Sequence, residues 1–370
     1  MKPTVNPVIS DDILASLNEG LYVCDKDRTI TYWSKAAERI TGWRSDEVVG
    51  RRCSDNVLAH VDKDGRRLRG EEFCPLHRSM LTDKASGTPL IVFGLTSKGP
   101  RLPMAVSVAP IHDAAGQVVG GVETFHDFSE TYANLMRAKR IQTLSMDYEL
   151  PQDNRVEFRT FYLPHDMVGG DYYAIHQLDS DHYGFLLADV MGHGVAAALY
   201  TMHLSSLWER YSATLVNPEV FAGHLNRELC KIVKDESFST ALCGVLDVVR
   251  KSMRITSAGA PPLILFKADG STDVIELPGW PFGVSADADY DMVEFNCAAE
   301  DRILMFSDGA IEIQDAKGQL LEAEGLLSIL KSQGYPQIPI DIKTLHEALL
   351  LYSNEIKLND DLSFVEIRFS

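Results

Sequence analysis

Residues 185–202 read Phe-Leu-Leu-Ala-Asp-Val-Met-Gly-His-Gly-Val-Ala-Ala-Ala-Leu-Tyr-Thr-Met. An apolar run closes on Asp189, Gly192-His193-Gly194 follows, and an unbroken helix-forming stretch starts at Val195. The pattern is strand, loop, helix. It places the Asp189 carboxylate at the end of a core strand, and it turns backbone N–H groups toward the loop at a helix start, where anions are favoured. The same ending recurs along the chain. Asp171 follows Val168-Gly169-Gly170, Asp308 closes the run 303–307 ahead of Gly309, and Asp360-Asp361 open a final strand at 362–369. One Asp-Gly pair is equally a common turn. Acidic strand ends repeated through one region point elsewhere: carboxylates held close together repel, and a hard divalent cation with oxygen ligands removes the repulsion. The neighbouring glycines let backbone approach closely.

Around these positions, strand patterns fall at 157–162, 173–176, 183–190, 240–249, 252–258, 263–267, 302–307 and 362–368, and helical patterns at 195–213, 218–234, 322–332 and 342–354. Hairpin-linked strands followed by paired helices predict an α+β fold, with sheets covered by helices. The first third differs. Strands are expected at 20–24 and 29–33 around the turn Asp25-Lys26-Asp27-Arg28, then a helix capped by Ser34 and stopped by Gly42, then strands at 90–95, 103–111 and 118–125. Residues 128–150 lack Gly and Pro. There Phe128, Tyr132, Leu135, Ala138, Ile141 or Gln142, and Leu144 recur at helical steps, predicting an amphipathic helix that packs on its own chain or on a second copy.

The chain has 370 residues, enough for two or three domains, with 45% hydrophobic and 24% charged residues. Its formal net charge is −18, which excludes nonspecific attachment to nucleic acid or to an anionic membrane surface. No apolar run reaches the roughly 18–20 residues of a membrane span, and the opening MKPTVNPVIS has no secretory pattern, so a cytoplasmic setting is expected. The six cysteines form no C-x-x-C pair and are expected to be reduced.

Two resemblances join these readings. The segments GLYVCDKDRTITYWSKAAERITGWRSDEVVGRRC (20–53) and GQVVGGVETFHDFSE (116–130) resemble the opening and closing of a PAS domain. The ordered set MVGGDYYAI, FLLADVMGHGVAAALYTM, LNRELC, FSTALCGVLDVVRKSMRITSAGAPPLIL, GWPFGV, ILMFSDGAIEIQDAKGQ and NDDLSFVEIRF resembles the SpoIIE-like branch of the PPM-type metal-dependent serine/threonine phosphatases over nearly all of 155–370. The expected organisation is a PAS sensor over 1–127, a helical, coiled-coil-like linker over 128–150, and a PPM-type β-sandwich flanked by helices over 151–370.

The resemblance implies a centre of two Mn²⁺ or Mg²⁺ ions. Asp189 would bridge both ions, with the Val190 backbone carbonyl as a further ligand. Asp171 would hold the first ion largely through water, and Asp308 and Asp360 the second. Asp361, where the wider superfamily often has Asn, would stand behind the ligands. Two such ions would lower the pKa of a water between them and neutralise phosphoryl oxygens, so no nucleophilic Cys or Ser is needed. His193 would protonate the leaving serine oxygen or merely order the loop. One departure is present: a segment often written NAGHPP reads Ala258-Gly259-Ala260-Pro261-Pro262. The implied substrate is a phosphorylated STAS-domain protein, and the implied assembly a homodimer through PAS domain and linker.

Other outputs are less consistent with the residues. Gly169-Gly170-Asp171 superficially resembles the GGD of diguanylate cyclases, but the acidic residue and Phe expected next are Tyr172-Tyr173, and Ser307-Asp308-Gly309 and Asp360-Asp361 would go unexplained. A degenerate phosphatase serving as a scaffold would have lost a metal aspartate, and none is missing. In the sensor, Gly50-Arg51-Arg52-Cys53 approaches a flavin-reactive cysteine motif but continues Ser54-Asp55-Asn56-Val57 rather than Arg-Phe-Leu-Gln. His60 and His77 could ligate haem, and Cys53, Cys74 and His77 could form a redox or metal site, so the sensed ligand stays open.

Overall fold

The computed structural model describes residues 16–370 apart from 54, 56, 64, 69–73, 87, 88, 147, 148, 233–236 and 354–357. The chain divides into two compact units, one up to Asn134 and one from Leu135. Residues 147 and 148 of the expected linker helix, the expected ends of the helices at 234 and 354, residues 1–15 of the expected sensor, and Ser54 and Asn56 lie outside the described residues.

The first unit holds β1 (Gly20–Asp25), β2 (Ile30–Trp33), α1 (Lys35–Thr41), α2 (Ser45–Val48), α3 (Pro75–Thr82), β3 (Leu90–Leu95), β4 (Arg101–His112) and β5 (Val118–Asp127). Its antiparallel sheet runs β2-β1-β5-β4-β3. The turn after β1 closes because the Asp25 carboxylate accepts from the Thr29 N–H at 2.8 Å. Ser34 starts α1 by accepting from the N–H groups of Ala37 and Leu21. Gly42 ends it at φ 75°, where a side chain would be strained. Tyr22, Trp33, Met104, Val106 and Phe125 fill the core.

Helix α4 spans Ser129–Met146. In the first unit Tyr132 packs edge-on against Phe93, 5.2 Å between ring centroids. In the second unit Gln142 and Met146 are the buried positions, whereas Ile141 and Leu144 are exposed. Of the alternatives at 141 and 142, the inward one is the polar residue, and Leu144 falls off the stripe.

The second unit continues with β6 (Val156–Leu163), β7 (Asp171–Gln177), β8 (His182–Val190), α5 (Val195–Tyr211), α6 (Pro218–Ile232), β9 (Ser239–Asp247), β10 (Ser252–Ala258), β11 (Leu263–Phe266), β12 (Thr272–Ile275), β13 (Met292–Asn296), β14 (Arg302–Phe306), α7 (Glu322–Ser332), α8 (Ile342–Ser353) and β15 (Leu362–Phe369). Two antiparallel five-stranded sheets result, β13-β10-β9-β8-β7 and β12-β11-β14-β15-β6. The period of two sorts the side chains. Phe185, Leu187, Ile303 and Met305 join the cluster between the sheets. Leu186 and Ala188 face the cluster with Leu204, Trp208 and Phe221 of α5 and α6. Leu304 and Phe306 face the one with Leu326 and Leu345 of α7 and α8. The result is a sandwich with a helical layer on each outer face, so the α+β expectation holds.

Trp208 is fully buried in the first helical layer. Its indole N–H donates to His176 Nδ1 at 3.0 Å, and its ring meets Phe221 edge-on. Trp208→Ala should therefore lower the stability of the second unit by about 3–5 kcal/mol. Chemical denaturation followed through that unit's transition checks this; a loss below about 1 kcal/mol would mean the layer repacks freely.

Candidate metal centre

Strand pairing brings the acidic ends together. Asp171 opens β7 and Asp189 lies next to the end of β8, and the two residues are direct cross-strand partners. Like charges in that relation are unfavourable. In the other sheet, Phe306 pairs with Phe364, so Asp308 and Asp360 leave neighbouring strands at one end of the sandwich. Asp189 and Asp308 lie close enough to share a hydrogen bond, and Asp360 acts on both.

Asp171, Asp189 and Asp308 are held above the ordinary carboxyl range. Burial, then the charge of Asp361, pushes Asp171 up to about 8. Burial, then the charges of Asp171 and Asp308, pushes Asp189 up to about 11. Burial pushes Asp308 up to about 6, with Asp360 and Glu312 adding and the bond to Asp189 opposing. Asp171 is wholly buried, and neither of its oxygens has a hydrogen-bond donor in bonding geometry, although the hydroxyls of Ser307 and Ser363 lie beside it. Orphaned buried carboxylate oxygens facing further carboxylates are the donor set that a hard divalent cation satisfies. The residues present therefore fit such a group, with Asp171, Asp189, Asp308 and Asp360 available as ligands.

The backbone around them is built for close approach. A Cβ on Gly170 would lie 2.7 Å from the Val190 carbonyl oxygen and 2.9 Å from that of Gly192. A Cβ on Gly169 would strike the Tyr162 hydroxyl and the Asp361 carboxylate. One on Gly309 would collide with the Asp361 carbonyl oxygen. The Val190 carbonyl is thus backed directly by Gly170, whose own carbonyl accepts the Val190 N–H at 3.1 Å. Asp361 spends its carboxylate on the loop that precedes Asp171, accepting from the N–H groups of His165, Gly170 and Asp171. His193 is exposed and turns to Asp166, Nδ1 to Oδ2 2.8 Å.

Several residues here were not selected from sequence. The Gln142 amide of α4 donates to the Gly169 carbonyl at 2.7 Å and to Thr201 Oγ1 at 2.9 Å, and accepts from the Gly169 N–H at 3.2 Å. A polar residue inside an apolar stripe was the available signal. Ser239 donates to the Asp189 carbonyl at 2.8 Å. Tyr162, Glu312 and His165 carried no motif signal. Ala260, which stands where the family segment has His, and Pro261 line a small cleft shared with Asp189, Thr240 and Ser307.

These shifts fix a sign. In chelator, Asp171 binds its proton more tightly folded, about 8, than unfolded, about 4. Its contribution to stability is complete below the lower value and is lost as pH rises through the upper one. Asp171→Asn has no such loss. Chelated Asp171→Asn should therefore out-melt chelated wild type by a margin that widens from about pH 4 to about pH 8. Millimolar Mg²⁺ or Mn²⁺ should reverse the order by stabilising wild type more. Thermal melts at several pH values decide; a wild type that is the more stable in chelator at pH 8 would contradict the repulsion.

Comparison with known proteins agrees with this layout. A family model described as Stage II sporulation protein E (SpoIIE) matches residues 179–370, and one described as PAS fold matches residues 14–133. Phosphoserine phosphatase RsbU of Bacillus subtilis (strain 168) is 23% identical over 302 residues, 80% of this chain and 86% of that protein. Phosphoserine phosphatase RsbP of the same organism is 26% identical over 186 residues. That match takes in 49% of this chain and less than half, 46%, of RsbP. Among solved structures, the SiaA-PP2C domain of Pseudomonas aeruginosa superposes with a TM-score of 0.56 at 19% identity, covering 65% of this chain and 98% of that domain. That likeness is one of fold. With a family match over residues 179–370, just over half of the chain and including Asp189, Asp308 and Asp360, the chain belongs to the SpoIIE family and bears a PAS fold ahead of that region.

Proposed function

We propose that this chain is a metal-dependent protein serine/threonine phosphatase controlled by its PAS domain, and that its substrate is a phosphorylated STAS-domain protein. The observation that carries the reading is the convergence of Asp171 with Asp189, Asp308 and Asp360, the last three within the SpoIIE-matching residues 179–370. The phosphatase names of RsbU and RsbP support it.

In this reading two Mg²⁺ or Mn²⁺ ions, when bound, supply a water of lowered pKa and neutralise the phosphoryl oxygens. The chain's own groups do the rest. Asp189, placed between the other aspartates, joins the two halves of the ligand set, with the Val190 carbonyl beside it. Asp361 holds loop 165–171, and so Asp171, in register. The first N–H groups of α5 face the loop after Val190, where a phosphoryl group gains from the helix end. His193, anchored on Asp166, is the available proton donor for a leaving serine or threonine oxygen. A scaffold role would require no such intact acidic set.

A grip on the phosphoryl group alone selects no protein, so selectivity must come from surrounding surface. Met191, Val195 and Leu199 are exposed beside the cluster. Trp280 and Val284 are exposed on the loop whose Phe282 bridges to Ser239. These are apolar anchors of the kind used by protein interfaces. Exposed Met136, Ile141 and Leu144 on α4 support association of two copies through the linker, and Gln142, hydrogen-bonded to Gly169, supports transmission from α4 to the loop before Asp171.

Asp189→Asn or Asp308→Asn should cut turnover by orders of magnitude with the fold kept. Full activity in excess chelator would defeat the metal reading. The folded phosphorylated partner should exceed both its excised phosphopeptide and p-nitrophenyl phosphate in kcat/KM by at least roughly 100-fold, about 2.7 kcal/mol of transition-state binding. Equal values for peptide and partner would make the enzyme a generalist. One residue inserted in α4 rotates the remainder of the helix by about 100° and should change activity far more than seven, which nearly restore the face. An even response across the insertions would reduce α4 to a tether.

A further inference from the structure

Beside the aspartate cluster lies a second group of ligating side chains. His165 and Asp166 sit in the loop between β6 and β7, and His193 in the loop between β8 and α5. Each offers one ligand atom, and the three atoms lie within 4.8 Å of one another. The His165 ring is locked: its Nδ1 is 2.6 Å from the Leu358 carbonyl oxygen. A carbonyl only accepts, so Nδ1 carries the hydrogen and Nε2 is the ring atom left to ligate a metal. Nε2 lies 3.7 Å from one Asp166 oxygen. The other Asp166 oxygen is 2.8 Å from His193 Nδ1. The two imidazole rings are 5.1 Å apart at 57°.

We propose that His165, Asp166 and His193 form a binding site for one transition-metal cation of the zinc class, separate from the aspartate centre. Two imidazoles and one carboxylate, with a position left for water, are a donor set for zinc. Metal–ligand bonds of about 2.0–2.2 Å put tetrahedral ligand atoms about 3.3–3.5 Å apart, so side-chain adjustments of about an ångström close the set. The Leu358 carbonyl behind His165 is the outer partner that orients a ligating imidazole and fixes its tautomer. Imidazole nitrogen separates this site from the all-oxygen aspartate cluster, which suits harder ions. Its position gives it a consequence. One arm of the site leads into Gly169-Gly170-Asp171 and the other leaves Asp189-Val190, so an ion there ties together the two loops that carry the aspartates. The proposal concerns binding and stands whether or not the chain is a phosphatase.

The test uses the full chain carrying Asp189→Asn and Asp308→Asn, stripped with chelator and held in millimolar Mg²⁺. Zinc is titrated against a chromophoric chelator, and X-ray absorption at the zinc edge is recorded on the loaded protein. The expected result is one zinc per chain with imidazole scattering from two histidines. Adding His165→Gln or His193→Gln should weaken binding at least about 100-fold while the metal-free melting temperature stays within a few degrees. No zinc bound, leaving an imidazolium–carboxylate pair only, would overturn the site. So would zinc whose spectrum lacks imidazole, or affinity indifferent to both substitutions. The spectrum decides even if a histidine variant fails to fold.

Discussion

Like charges forced together at the ends of paired strands are the constraint around which the second unit is arranged. Asp171 and Asp189 oppose each other across β7 and β8, and Asp308 and Asp360 reach the same end from the other sheet. Such a cluster persists in a folded protein only if the rest of the sandwich holds it. The holding is visible in the three interleaved clusters that fix both sheets and their helices. It is visible again in Asp361, whose oxygens fasten the loop before Asp171. Gly169, Gly170 and Gly309 complete it, since a methyl group at any of them would strike the neighbouring chain.

The buried end of α4 bears on the same loop. Gln142 is buried near the end of α4, and its amide contacts both backbone groups of Gly169. A buried amide left unpaired costs about 1–3 kcal/mol, so rotation of this part of α4 cannot occur without disturbing the loop that positions Asp171. Coupling of that kind needs no new contact at the aspartates. It comes from a hydrogen-bonded residue sitting where a helix of the usual pattern would carry an apolar one.

Much of this was legible in the residues. The aspartates could be named because each closes or opens an apolar run, and strand ends are where a rigid sheet concentrates side chains. The sandwich was legible because β8 is long and mostly buried and β14, though only five residues, is an unbroken apolar run after Arg302. β13 was not: Met292 and Val293 are exposed on an edge strand, so burial imprints no period on it. Gln142 was one of two options at its turn of the helix, and hydrophobic periodicity favours Ile141, which is exposed. The joint placement of His165, Asp166 and His193 was illegible for a different reason. Loop residues acquire neighbours through the fold, and neither histidine has a sequence partner at metal-ligand spacing. In the first unit, the buried pair of His60 and Glu123, 3.5 Å apart, and the bond from Tyr22 to Glu123 also arise only from tertiary packing.

The central claim is that the acidic strand ends exist to hold divalent cations. The most direct measurement is an anomalous difference map from crystals of the chain grown with Mn²⁺. Two adjacent peaks are predicted, one against Asp171 and Asp189 and one against Asp189, Asp308 and Asp360, with Asp361 touching neither. A map with no density among these four carboxylates at saturating Mn²⁺ would contradict the account.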